Sequence, residues 1–173
     1  MFPLDDFGIP ITSHSIYMCY QSLYKVSLTI VTLFYSNSDN LFITYLQVQP
    51  SFDYILAEIL HSDEQGYVVL QAAILPMRTL LVSQRIKSVF IDFFCSAKKY
   101  CTAAREAFSR IHFIKRVPSN KVGQILQRGT VILHPFPFGG SKTSSDALRE
   151  GIPLVTYPQA YLRGRMAETF YST

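Results

Sequence analysis

Residues 131–143 read VILHPFPFGGSKT, a strand that stops, bends and restarts as a helix. Val131, Ile132 and Leu133 form a short apolar run with β-branched character. Pro135 and Pro137 forbid a continued ladder, because proline has no N–H to donate. Gly139 and Gly140 let the backbone take positive φ and come close to another group. Ser141, Lys142, Thr143 and Ser144 follow, with Asp146 in or just before the first helical turn. The helix runs to Glu150 and stops at Gly151, a natural C′ glycine. Such a corner aims several backbone N–H groups and the positive end of a helix dipole at one spot, where a phosphate can sit. An ordinary hydroxyl-capped loop accounts for the same residues equally well. Two phosphate motifs are excluded: G-x-G-x-x-G is absent, and Ser141 separates Gly140 from Lys142 where a P-loop needs them adjacent.

Outward from this corner, strands and helices alternate. On the upstream side the pattern predicts a strand over 16–20 and a helix over 51–62, capped by Ser51 after Pro50. A strand over 67–72 follows, apolar throughout as a parallel strand buried on both faces should be. Helix is expected over 77–108, broken near Cys95 and Ser96. Next come a strand over 111–117 and a short helix from Ser119, its cap, to Arg128. On the downstream side a strand spans 152–157 and a helix spans 163–171. Each crossover is long enough for a parallel βαβ unit. The expected fold class is therefore α/β: a Rossmann-like parallel sheet flanked by helices, one domain over 1–173.

The stretch HPFPFGGSKTSSDALREGIPLVTYPQAYLRGRMAETFY resembles the donor-binding segment of the O-linked N-acetylglucosamine transferases and their plant SPINDLY-type relatives. Pro137, Gly140, Thr143, Asp146, Leu148, Gly151, Pro153, Val155, Thr156 and Arg165 sit in register with that family's pattern. Upstream, Tyr20-Gln21-Ser22-Leu23-Tyr24-Lys25 resembles the family's F-N-x-L-x-K phrase at the end of a strand, and Gly8-Ile9-Pro10 resembles its G-L-P. The resemblance implies the C-terminal, donor-binding lobe of a GT-B glycosyltransferase, incomplete in this chain. It implies that Lys25 is the catalytic cation on the donor diphosphate. It also implies that Gln21 or Ser22 touches the nucleotide. Three positions depart from the pattern: Val122 or a neighbour stands for a histidine near the base, Thr130 for an Asp before the last strand, and His134 for a further Asp.

Residues 26–47, VSLTIVTLFYSNSDNLFITYLQ, have no counterpart in that family. They read as two β-branched, aromatic strands around a Ser-Asn-Ser-Asp-Asn turn. Deleting them joins Lys25 to Val48-Gln49-Pro50 and restores the family's K-x-x-P phrase. Valine codons begin with GT and one glutamine codon ends in AG, as an intron requires. The expectation is a translated intron; a genuine lineage-specific insertion is the alternative.

The chain has 173 residues, 49% of them hydrophobic and 14% aromatic. That is enough to bury one domain's core and far from a disordered profile. The formal net charge is +4, but Lys and Arg are scattered, so no nucleic-acid footprint emerges and a small anionic ligand is compatible. Cys19, Cys95 and Cys101 are not spaced as a zinc site, and reduced thiols are expected. The first residues, MFPLDDFGIP, lack the basic start and apolar core of a secretory signal. No apolar run is long enough to span a bilayer. The expected location is cytoplasmic or nuclear, with no membrane and no nucleic acid as partner.

The chemistry implied is loss of a nucleoside diphosphate from a sugar, with negative charge growing on the departing group. The expected donors are the N–H groups after Gly139 and Gly140, the hydroxyls of Ser141 and Thr143, the ammonium groups of Lys25 and Lys142, and the helix dipole. Asp146 would accept from the ribose hydroxyls. No D-x-D pair occurs, so neither a metal nor a cofactor beyond the UDP-sugar donor is expected. Acceptor proteins would be met by a second lobe. A nucleotide-sugar-binding module without turnover and an unrelated Rossmann-like interaction domain remain alternatives.

Overall fold

A computed structural model describes residues 15–19, 50–72, 76–95, 102–115, 117–136, 140–157 and 162–172. Its centre is a five-stranded sheet. The strands are β1 (Ile16–Cys19), β2 (Tyr67–Gln71), β3 (Ile111–Ile114), β4 (Val131–Leu133) and β5 (Leu154–Val155). Every pairing is parallel, and the order across the sheet is β3-β2-β1-β4-β5. The helices are α1 (Pro50–Ser62), α2 (Pro76–Cys95), α3 (Thr102–Ser109), α4 (Val122–Leu126), α5 (Lys142–Arg149) and α6 (Leu162–Tyr171). A 3₁₀ turn over Ser119–Lys121 precedes α4.

Side chains alternate across each strand, and the two faces gather separate cores. Val68, Leu70, Cys19 and Leu133 join Leu56, Leu60, Ile86 and Phe90 from α1 and α2. Val69, Met18 and Ile132 face the other way, against Ile125 and Leu126 of α4, Ala147 of α5 and Ala167 of α6. Fully burying a side chain such as Phe90 or Ile86 contributes about 1.5–3 kcal/mol. Covering both faces explains why the strands read as unbroken apolar runs. At Gly129 a Cβ would come within 2.5 Å of the Met18 sulfur, so this turn between α4 and β4 approaches β1 closely because it carries no side chain.

Two polar contacts fix α1 to the sheet. The Arg110 guanidinium donates to the carbonyls of Leu60 and Asp63, 2.6 Å each, and of Gly66 at 3.1 Å, satisfying acceptors that a helix end leaves open. The Tyr17 hydroxyl donates to Asp63 at 3.1 Å.

Several expectations need correction. Helix α1 begins at Pro50 rather than being capped by Ser51; proline suits the first helical position because its missing N–H would be unpaired there anyway. The Ser119 turn has Pro118 at its cap position and no side-chain capping bond. Cys95 is disulfide-bonded rather than a reduced thiol, while Cys19 is a buried thiol in the sheet core. The strand expected over 152–157 is only Leu154–Val155. Helices are described over Pro76–Cys95 and Thr102–Ser109, and Ser96, where the break was expected, lies outside the described residues. His112 is a half-buried sheet histidine against the Tyr67 ring, centroids 5.6 Å apart, and burial lowers its pKa. The suspected insert over 26–47 lies outside the described residues.

Candidate functional site

The chain runs from β1 outward to β2 and β3, then returns to place β4 on the opposite side of β1. The order therefore reverses between β1 and β4. In open α/β sheets that reversal, beyond the carboxyl ends of the strands, opens the crevice where ligands bind. β1 ends at Cys19 and β4 at Leu133, so the residues singled out in the sequence all follow these two strand ends. Gln21, Ser22, Lys25 and Gly139 lie outside the described residues. Gly140, Ser141, Lys142, Thr143 and Asp146 are described: Gly140 and Ser141 lead into α5, Lys142 and Thr143 open it, and Asp146 is its fifth residue, past the first turn in which it was expected.

Aromatic packing brings three segments together at this edge of the sheet. Phe52, in the first turn of α1, meets Phe136 edge-on with ring centroids 5.8 Å apart. Phe136 in turn meets Tyr157, past β5, at 5.8 Å. The N-termini of α1 and α5 thus both open on the carboxyl edge of the sheet, one after β1 and one after β4. Beneath the start of α1, Asp53 is fully buried and takes a two-pronged bond from Arg85 of α2, at 2.6 and 3.0 Å. Burial raises the Asp53 carboxyl above its ordinary pKa, with the guanidinium pulling the other way.

The bend itself is held by His134. Its Nδ1 lies 2.9 Å from the Thr156 hydroxyl, and its Nε2 lies 3.1 Å from the Gly140 carbonyl oxygen. A carbonyl only accepts, so Nε2 carries the proton and the Thr156 hydroxyl donates to Nδ1. Burial lowers the His134 pKa, the Gly140 contact opposing it; the ring is neutral at pH 7. The Ser144 hydroxyl donates to the same Gly140 oxygen, the backward bond that serine makes within a helix.

Helix α5 starts with Ser141 in cap position and no side-chain capping bond. The N–H groups of its first turn have no partner within the helix. Thr143 is half-buried there. Asp146 is buried, and its carboxylate holds Lys142 at 3.0 Å and Arg149 at 3.4 Å. The Lys142 side chain is 78% exposed, so this pair contributes little to stability. The helix ends at Gly151 with φ 74°, the left-handed stop its glycine predicts.

Sequence reasoning missed Thr156 and Ser144 as partners of the bend; a hydroxyl four residues after a glycine carbonyl was the available signal for Ser144. Thr130 is not near the crevice. Its hydroxyl accepts from the Ile16 N–H at 3.0 Å, joining the amino ends of β1 and β4. Val122 is the first residue of α4 and packs, partly buried, against the second core. Arg165 sits on α6 with Glu168 at 3.1 Å.

No family model and no curated protein matches the sequence. Solved structures do resemble it. A mutant of the O-GlcNAc transferase of Thermobaculum terrenum superposes with a TM-score of 0.63 at 16% identity, over 92% of this chain and 24% of that one. A UDP-forming α,α-trehalose-phosphate synthase from Burkholderia xenovorans superposes with a TM-score of 0.50 at 9% identity, over 93% of this chain and 36% of that one. The chain thus spans about a quarter and about a third of the two. At these identities the likeness concerns the fold: this chain has the α/β Rossmann-like fold of GT-B glycosyltransferases.

Proposed function

We propose that this chain is the donor-binding lobe of a glycosyltransferase, holding the diphosphate of a UDP-sugar in the crevice between the ends of β1 and β4. One observation carries the reading: the N-termini of α1 and α5 open on the edge where the strand order reverses. Helix N-termini stabilise anions through their unpaired N–H groups and dipoles. The N–H groups at Ser141 to Thr143, with the hydroxyls of Ser141 and Thr143, would take the diphosphate. Lys25 would neutralise the charge that develops as the sugar departs. Gln21 or Ser22 would touch the nucleotide. Asp146 would accept from the ribose, exchanging Lys142 for a sugar hydroxyl.

The resemblance of residues 134–171 to the O-linked N-acetylglucosamine transferases supports N-acetylglucosamine as the sugar. It also supports Ser/Thr hydroxyls of proteins as acceptors, approached from a second lobe, in the cytoplasm or nucleus. No metal is assigned a role. The matched portion is 24% of the bacterial transferase chain, which favours a second reading: a nucleotide-sugar-binding lobe that does not turn over by itself.

Calorimetric titration of UDP tests the proposal. Lys25→Ala and Thr143→Val should each weaken binding at least several-fold, and by roughly ten- to a hundredfold if a full hydrogen bond to a charged group, worth about 1.5–3 kcal/mol, is lost. Unchanged affinity removes these residues from the site. Slow hydrolysis of UDP-N-acetylglucosamine by the chain would favour transferase over binding module.

A further inference from the structure

We infer that His134 and Ser144 are positioning residues: together they clamp the Gly140 carbonyl inward, so that the Ser141 N–H faces the diphosphate. The inference rests on the diphosphate reading above and says how this chain prepares that site.

The Gly140 carbonyl and the Ser141 N–H belong to one planar trans peptide, so they point in opposite directions. Where the oxygen goes fixes where the N–H goes. The oxygen receives two donors, His134 Nε2–H at 3.1 Å and the Ser144 hydroxyl, which match its two lone pairs. His134 is itself held from behind by Thr156, 2.9 Å away, and the ring is buried. The clamp therefore ties the bend to β4, to the segment after β5 and to α5 at once.

Such a clamp has a purpose at this position. A glycine peptide rotates more freely than any other. Rotated, it would turn a carbonyl oxygen toward the anion and replace attraction by repulsion. Ser141 makes no side-chain capping bond, so the orientation is not set from that side. An ionised carboxylate at position 134 could only accept, and so could not hold a carbonyl; a neutral imidazole with one N–H can.

The test has two parts. In the ligand-free protein, the ¹⁵N spectrum of the His134 ring should show the proton on Nε2. A proton on Nδ1 alone overturns the clamp, since Nε2 could then not donate to Gly140. Pyrophosphate is then titrated while the Ser141 amide is followed by NMR. In the wild type that amide should shift. In His134→Ala and in Ser144→Ala the affinity should fall about fivefold, as for loss of one modest hydrogen bond. In His134→Gln, whose amide can donate in place of Nε2, most of it should return. Ser144→Ala carries the test if His134→Ala does not fold. Wild-type binding with equal affinity in every variant overturns the clamp alone. A wild type that binds neither pyrophosphate nor UDP overturns the diphosphate reading and, with it, the clamp's role.

Discussion

The Tyr171 hydroxyl covers the outer side of β5, the last strand of the sheet among the described residues, at Leu154. It accepts from the Leu154 N–H and donates to the Leu154 carbonyl, 2.8 Å in each case. The neighbouring carbonyls, of Pro153 and Val155, accept from Ile132 and His134 of the β4 segment. The Leu154 peptide groups therefore face away from β4, where an unpaired edge would invite another strand. One side chain at the end of α6 satisfies both.

Tyr171→Phe keeps the ring and removes this closure. It should cost about 0.5–1.5 kcal/mol, the net worth of a modest hydrogen bond. Self-association should rise, because Val155 beside the opened edge is 58% exposed. Urea unfolding and sedimentation velocity check the two effects; a variant as stable and as monodisperse as the wild type would contradict the assignment.

Asp53→Ala should be far more damaging. It leaves the Arg85 guanidinium, only 14% exposed, without its carboxylate. Breaking a buried pair in this way costs about 3–5 kcal/mol. A urea midpoint near that of the wild type would show that the pair is not needed to seat α1 on α2.

Stability should fall on mild acidification. Burial holds folded His134 below its ordinary value of 6.5, so the unfolded chain binds more protons in that window. The contribution is complete above about pH 6.5 and is lost as the pH falls toward the folded value. His112 shifts in the same direction through burial. His134→Gln should therefore flatten the decline below about pH 6.5 without abolishing it. Identical slopes in wild type and variant would show that His134 is not the group responsible.

Residues 26–47 provide a prediction at the level of the gene. If they are translated intron, mature transcripts should join the codons of Lys25 and Val48. Removing the segment should then raise soluble yield, because so β-branched and aromatic a sequence with almost no charge is an aggregation hazard. Transcripts that retain the segment throughout would make it a true insertion.

Much of the fold was legible because parallel strands buried on both faces are short, apolar and separated by turn signals, as in Tyr67–Gln71 and Val131–Leu133. Helix α5 was legible from both ends, the glycine pair before it and Gly151 after it. The edge strand was less so: Ile152 to Tyr157 is apolar enough for six residues, yet only Leu154 and Val155 find partners on β4. Caps were misjudged at Ser51 and Ser119 because a neighbouring proline, with no N–H to satisfy, takes the end position in both places. At the site, the sequence pointed to the hydroxyls around Gly140. It could not show that His134 and Thr156, 22 residues apart, meet across β4 and β5, since that contact depends on strand register.

The most direct test of the account is a crystal structure of the chain grown with UDP. The account predicts the diphosphate beyond the ends of β1 and β4, within hydrogen-bonding distance of the N–H groups of Ser141 to Thr143 and of the Lys25 ammonium. UDP bound elsewhere, or this crevice filled by the protein's own side chains with Lys25 turned away, would contradict it.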